Sequence, residues 1–458
     1  MKNILIAIRS IFKKGRHNVM KIVSLGIGLA VGLVLIAKVY FEQSYDDFYP
    51  DRDRVYQVWA KYQQNGGELK DYPQTSGGIA PTMQQQIPEI ETVTRYTSFG
   101  DWTFTMTDTK MKYSGRCIIA DSCFFDILPR PMLIGNAKEV LSTPMYVLIS
   151  SRIAKNIGGD VIGKNFTVDN SPGRTMTIGG VFEEVPENSH SRYDVIVSMA
   201  SAGRFMWEGS PTNMLGNDRY ISYVKLHKGV NPLALEEQVR TFVNSYFPPE
   251  EQQKVGLSID FSFHKLDNLH KELPQVKRMT WILSLLAFAL IFTAVMNYIL
   301  IVISSIVNRS KEVAVHKCYG ASENNIHGMM FGEALVHIVL SLILALLLIL
   351  AFRGTVEELL ATSLDSLLLS NGSLVLLGIC ILVFFVSGFM PGSLYARIPV
   401  ASAFRNYREN KRIWKKALLL VQFVATGFLV TMLVFVARQY TFMVNDRPGY
   451  AYENLAYC

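Results

Sequence analysis

Five stretches of about 20 predominantly apolar residues, the length needed to cross a bilayer core, constrain this chain more than any other feature. They run over Ile22–Phe41, Trp281–Val307, Met329–Phe352, Leu374–Tyr395 and Ala417–Ala437. A buried helix of a soluble domain would account for any one of them, but not for all five. Charged residues make up only 18% of the chain, against about 25% in soluble domains, which points the same way. The first run is too long for the apolar part of a cleaved signal peptide and lacks a small-x-small site after it. Tyr40, Phe41 and Tyr45 follow instead, as aromatic residues do at a membrane interface. It reads as an uncleaved signal anchor, with Lys38 near enough to its end to snorkel into the headgroups.

The 45 Lys and Arg residues outnumber the 38 Asp and Glu, for a net charge of +7. Their positions explain the excess. Lys2, Arg9, Lys13, Lys14, Arg16 and Lys21 fall in a basic segment over 1–21, with no acid before Glu42. Arg309, Lys311 and Lys317 lie in the 308–328 loop. Arg397, Arg405, Arg408, Lys411, Arg412, Lys415 and Lys416 lie in the 397–416 linker. The loop after the third run carries Glu357, Glu358 and Asp365 against Arg353. The positive-inside rule then puts the N-terminus and all three basic segments in the cytoplasm, and residues 42–277 and 438–458 outside. No nucleic-acid motif accompanies the charge, so nucleic acid is not an expected partner, whereas membrane lipid is.

The sequence therefore predicts an α-helical membrane protein with a large α+β extracytoplasmic domain inserted between spans 1 and 2. Within 42–277, Arg54–Trp59, Thr92–Tyr96, Thr175–Ile178 and Phe166–Asp169 read as strands. Pro81 starts a short helix, and Asn231-Pro232 opens a longer one with Leu235, Val239, Phe242, Val243 and Tyr246 along one face. Mixed sheets in two subregions are expected, with no boundary assigned.

Catalytic chemistry is scarce. His190 stands between Ser189 and Asp194, but proximity in sequence does not make a triad, and a structural role is the simpler reading. Cys117 and Cys123 either pair or act as two small apolar side chains. Cys318, Cys380 and Cys458 are scattered, with no metal-ligand spacing. Gly158–Asn165 nearly matches a phosphate-binding loop, but Asn165 lacks the magnesium-binding hydroxyl and a strand follows where a helix is required. No metal site, cofactor site or catalytic residue is assigned.

Within the spans, Gly28 and Gly32 form a small-x₃-small pair suited to close helix packing. Glu333 and His337 lie one turn apart near the start of the third span, where interfacial solvation or a local hydrogen bond would accommodate them. In the 308–328 loop, Val313, Val315 and Tyr319 among alternating charges read as a short surface helix ended by Gly320.

That loop, Asn308-Arg-Ser-Lys-Glu-Val-Ala-Val-His-Lys-Cys-Tyr-Gly-Ala-Ser322, closely resembles the coupling-loop signature of FtsX-like permeases, and Glu333 resembles the glutamate opening the next span. Phe389-Met-Pro-Gly392 and Ile398-Pro-Val400 are similar to the family's proline-containing exit. Tyr45–Tyr56, Ala120–Asp126, Ile149–Ala154 and Gly180–His190 resemble segments of a MacB-type periplasmic core domain. The resemblance implies a non-catalytic permease subunit of a MacB/FtsX-type ABC transporter in a bacterial inner membrane. Such a subunit transmits conformational changes of a separate ATPase to the periplasmic domain, for efflux or extraction of a substrate. It implies an ATPase-coupling role for Arg309, Lys311, Glu312, Val313, Val315, Lys317, Gly320, Ala321 and Ser322, with ATP bound by the partner. It also implies a homodimer or a second permease half, and a periplasmic or outer-membrane partner. The alternative within the same family is a signalling protein that controls envelope enzymes without transport. Asn406–Lys416, the fifth span and Asn445–Leu455 echo the order at the N-terminus and resemble the opening of a second external domain in eight-span relatives. The expectation is a chain truncated after the first half of that tandem form.

Overall fold

The computed structural model describes residues 17–169, 171–369, 371–401 and 413–445. The chain divides into a helical unit, residues 1–41 and 278–458, and an α+β unit, Glu42–Lys277. The basic residues from Lys2 to Arg16, most of the 397–416 linker, and 446–458 with the proposed second-domain opening lie outside the described residues.

The helical unit contains α1 (Asn18–Gln43), α2 (Pro274–Ser304), α3 (Ile306–Cys318), α4 (Glu323–Ala351), α5 (Ser373–Ala396) and α6 (Ile413–Asn445). Among the described residues, five helices are long and apolar enough to span a membrane: α1, α2, α4, α5 and the Leu419–Asn445 part of α6. Lipid supplies no hydrogen bonds to the backbone, so helices satisfy their own.

Small residues set how closely these helices approach. A Cβ added at Gly28 would lie 2.2 Å from the Ala294 Cβ, and one at Gly32 would lie 2.4 Å from Ile291 Cγ1, so α1 meets α2 backbone to side chain. On another face of α1, Gly26 lies against Leu344 and the Ser341 carbonyl of α4, and the Ser341 hydroxyl donates to the Ile22 carbonyl at 3.1 Å. A second glycine pair, Gly388 and Gly392 of α5, closes on Phe331 and His327 of α4. Lys38 does not snorkel. Its ammonium is buried and donates to Thr362 Oγ1 at 2.8 Å, over the Phe41 ring. A hydroxyl in the loop after α4 supplies the polar contact that headgroups would otherwise give.

In the α+β unit, eleven strands form one mixed sheet: β1 (Val55–Gln64), β2 (Lys70–Tyr72), β3 (Ile90–Met106), β4 (Lys112–Ala120), β5 (Met132–Ile134), β6 (Tyr146–Ser150), β7 (Asn165–Val168), β8 (Ser171–Phe182), β9 (Val195–Ser198), β10 (Ile221–Leu226) and β11 (Leu257–Lys265). The two subregions share β3. Its first half pairs with β10, which leads on to β1 and β11. Its second half pairs with β4 and β7. From β4 the pairing runs through β9, β6 and β8 to β7 and so back to β3, closing a six-stranded ring. Closure removes the free strand edges.

A bulge makes the shared strand possible. The pairing with β4 slips between Ser98 and Gly100, and Gly100 takes φ +74°, which glycine tolerates without a Cβ penalty. One extra residue exchanges the two faces of a strand. Before it, Tyr96 shares a core with Ile118, Phe124 and Tyr223 on the outside of the ring. After it, Trp102, Phe104 and Met106 point inward with Cys117, Ile119 and Phe166. The helices Ile79–Gln86 and Glu236–Tyr246 cover the β10–β1–β11 part over Val58, Ala60, Val224 and Phe261. The first of them starts two residues before Pro81. The second follows a short 3₁₀ turn capped by the Asn231 side chain.

Gly28→Val is expected to lower the thermal unfolding midpoint of the detergent-solubilised protein, because its Cβ has no space against Ala294. Gly378→Val on α5, with nothing within 4 Å of its Cβ, is expected to leave the midpoint unchanged.

Candidate functional site

The loop singled out by sequence is the helix α3, set off from α2 by a turn at Ser305. Its buried residues are Ser310, Val313 and Ala314, with Lys317 half-buried one turn on, the spacing of one helical face. Lys311, Val315, His316 and Tyr319 are exposed, Tyr319 at 89%. Val313 and Val315 therefore do not share a face: the first packs into the bundle and the second faces out with Tyr319. Glu312 is half-buried, and the Arg309 side chain lies outside the described residues.

Gly320, Ala321 and Ser322 form a helix stop followed by a helix start. Gly320 adopts φ +86°, and the Gly320 and Ala321 amides donate to Lys317 and His316 carbonyls at 3.0 Å each, consistent with glycine's role past a helix end. The Ser322 hydroxyl then accepts from the Asn325 amide at 3.4 Å, capping α4. Lys317 turns away from solvent and donates to the Ala396 and Ile398 carbonyls, at 2.6 and 2.9 Å. These are carbonyls at the end of α5, which has no intrahelical donors left for its last turn. A charged hydrogen bond of this kind contributes about 1.5–3 kcal/mol. Nearby, the buried Tyr395 hydroxyl donates to the Val302 carbonyl at 3.1 Å and lies 3.1 Å from Ser305 Oγ, beside the α2–α3 turn.

Interfacial solvation is not how the ionisable pair on α4 is accommodated. Glu333 is 6% exposed and His337 fully buried. Glu333 lies 3.7 Å from the Lys21 ammonium, which also donates to Asn18 Oδ1 at 3.2 Å. His337 Nδ1 is 3.1 Å from the Tyr298 hydroxyl. An unpaired charge at a span's centre costs roughly 2.5–3.5 kcal/mol on insertion scales, so α1 and α4 each offset the other's charged group.

In the α+β unit, the partner of His190 is Asp46 rather than Asp194. His190 Nδ1 lies 2.7 Å from Asp46 Oδ2, and Ser189 donates to Asp46 Oδ1 at 3.0 Å. His190 Nε2 faces Tyr223 and Ser191, with Ser191 Oγ at 3.0 Å. The order carboxylate, imidazole, hydroxyl is that of a nucleophilic triad. However, Ser191 is 3% exposed and its hydroxyl is 2.7 Å from that of Tyr96. No acyl group reaches it, and the cluster reads as a structural one. Burial raises the Tyr96 phenol to about 12. Asp194 instead pairs with Arg152 at 2.6 Å and accepts from the Arg116 amide.

Cys117 and Cys123 are free thiols rather than a disulfide. Cys117 is sealed inside the ring, where burial pushes its thiol up, whereas Cys123 donates to the Val93 carbonyl at 3.1 Å. The glycine-rich stretch 158–165 leads into β7, as a phosphate-binding loop would not. Among the described residues, no group of His, Cys, Asp or Glu could hold a metal ion.

The sequence reading missed a polar seam between the two ends of the α+β unit. Glu42 lies 2.6 Å from His270, on which Tyr45 stacks. Lys271 donates to Asp47 at 3.0 Å and to Asp267 at 2.8 Å. Next to it, Asp51 pairs with Lys225 at 2.6 Å and with Arg54 at 3.1 Å. Hydrogen bonds from Lys225 and then Arg54 hold the Asp51 carboxyl below the usual carboxylate range. The density of Asp and Arg over 46–54 was the one available signal.

Two family models match the chain: the MacB-like periplasmic core domain over residues 20–242 and the FtsX-like permease C-terminal domain over 284–400. A permease-protein domain from Porphyromonas gingivalis is 33% identical, covering 47% of this chain and 91% of that one, with a TM-score of 0.44. The periplasmic region of MacB from Actinobacillus actinomycetemcomitans is 16% identical, covering 48% and 91%, with a TM-score of 0.31. The extracellular domain of the noncanonic ABC-type transporter YknZ from Gram-positive bacteria is 11% identical, covering 45% and 98%, with a TM-score of 0.32. No curated protein matches. The chain belongs to the MacB/FtsX-type permeases, a family of ABC-transporter permeases. It is a multi-pass membrane protein with an α+β domain between its first and later spans.

Asp51→Asn is expected to lower the denaturant midpoint at neutral pH. A carboxyl with a depressed folded pKa stabilises fully above its unfolded value, about 3.9. The contribution is lost as pH falls through the folded value. The gap between wild type and variant, followed by tryptophan fluorescence, should therefore persist at pH 5–7 and close below about pH 4.

Proposed function

We propose that this chain is the permease subunit of a MacB/FtsX-type ABC transporter and docks a separate cytoplasmic ATPase on the exposed face of α3. In this reading the N-terminus and α3 are cytoplasmic, and the α+β unit is periplasmic in a bacterial inner membrane. The observation that carries it is the division of α3 into two faces. Ser310, Val313 and Ala314 are packed into the helical unit, while Lys311, Val315 and Tyr319 remain exposed. A helix held on one side and open on the other, with an aromatic anchor beside a charge, suits docking into a partner's groove.

The permease itself performs no chemistry in this account: ATP is bound and hydrolysed by the partner. Movement of α3 passes through the spans to the α+β unit, which does work on a substrate by efflux or extraction. A homodimer or a second permease half completes the assembly, and a periplasmic or outer-membrane partner continues the path. Close packing at Gly28 and Gly32 supports transmission, because helices without intervening side chains shift together.

Co-purification of an ATPase with the intact chain tests this reading. The charge reversal Lys311→Glu with Glu312→Lys, and separately Tyr319→Ala, should each reduce the ATPase retained. A docking anchor contributes about 2 kcal/mol or more, so the aromatic variant should weaken binding by about 30-fold. Unchanged retention in both would sink the assignment of this face.

A further inference from the structure

We infer that Lys317 is a positioning residue that makes α3 a rigid extension of the end of α5, rather than of α2, which precedes it in the chain. The inference rests on the docking role proposed for α3 and specifies which span that helix drives.

Three observations carry it. First, continuity with α2 is broken: the helix stops at Ser304, and the Ser305 amide and hydroxyl both turn back to the Val302 carbonyl, at 3.2 and 2.6 Å. A break of this kind can pivot, whereas an unbroken helix would carry motion straight through. Second, α3 is tied to the far end of α5 by Lys317, which bridges the carbonyls of Ala396 and Ile398. A cation at a helix C-terminus is favoured by the local dipole as well as by the unpaired carbonyls. Third, the contact has an apolar base. Val313 and Ala314 of α3 share one buried cluster with Tyr395, Ala396 and Ile398. Tyr395 also donates to the Val302 carbonyl at the pivot. A pull on α3 therefore reaches α5 through two charge-assisted bonds and a packed face. Along the chain it reaches α2 across the Ser305 turn. In space it reaches α2 through apolar contacts in the same buried cluster, which includes Val302 and Ile303, without a charged bond of the kind Lys317 makes to α5. The glycine seam from Gly388 and Gly392 to Phe331 and His327 then carries the displacement from α5 to α4.

The test uses the intact chain in lipid nanodiscs, without any ATPase, in a background lacking native cysteines. Spin labels at Val315→Cys and Phe389→Cys, both exposed positions, report the α3–α5 distance by pulsed electron resonance. Wild type and Lys317→Arg, which keeps donors for both carbonyls, should give a single narrow peak. Lys317→Met should lose that peak and give a broad distribution. Labels at Val31→Cys and Leu347→Cys, on α1 and α4 and also exposed, should be unaffected, showing that the helical unit is intact. If Lys317→Met does not fold, Lys317→Gln, uncharged and too short to reach both carbonyls, carries the same comparison. A narrow α3–α5 peak in a folded Lys317→Met or Lys317→Gln protein overturns the inference, as does failure of Lys317→Arg to retain it. Because no ATPase is present, this result is independent of whether the exposed face of α3 proves to be the docking surface.

Discussion

Hydrocarbon gives a backbone carbonyl nothing to bond to, and much of the helical unit follows from where helices run out of their own donors. At the end of α5, the carbonyls of Ala396 and Ile398 take both bonds from Lys317. At the end of α2, the Val302 carbonyl collects Ser305 and Tyr395. In each place a polar side chain from one helix completes the backbone of another, so termination and packing are settled by the same contacts. The charged residues inside the unit obey the same rule. Lys21 with Glu333, and Lys38 with Thr362, are pairings between segments far apart in sequence. Removing one member leaves the other buried without its counterpart, which costs more than the pair itself contributes.

The α+β unit solves a different problem, that of joining a closed ring to an open sheet. A strand can serve both only if its inward face changes midway, and the bulge at Gly100 makes that change inside β3. Beyond the pairing of β1 with β11, the ends of the unit are tied by side chains: a hydrogen bond between Glu42 and His270, and an ion pair between Asp47 and Lys271. Contacts of this kind are directional and hold two chain segments at a fixed spacing. That suits a domain proposed to receive force at its base.

Local features were legible in the sequence and remote pairings were not. Hydropathy located the five spans because lipid imposes a length and a composition on every residue of a crossing segment. The strands beginning at Val55 and Asn165 and the helix opened by Asn231 were readable because alternation and capping are local. The same local reasoning misjudged Lys38, and it did not supply the partners of Glu333 and His190, which lie far along the chain. It read Val313 and Val315 together in a surface helix without assigning faces. Two residues along a helix turn a side chain most of the way to the opposite side, so the first is buried and the second exposed. Gly28 and Gly32 stood out by their spacing. Gly388 and Gly392 have the same spacing, but Pro391 between them drew attention to the helix end rather than to the packing seam.

The order of strands also has a consequence for how the α+β unit forms. Strand β1 is made early, and apart from the three-residue β2 its neighbours are β10 and β11, near the end of the domain. At about 5–20 residues per second, the ~160 residues between them take on the order of 10–30 s to synthesise. The ring can close behind β3 once β9 is made, before β10 and β11 exist, while Val58 and Ala60 have only the short β2 beside them. The first strand to leave the ribosome is thus among the last to find its place.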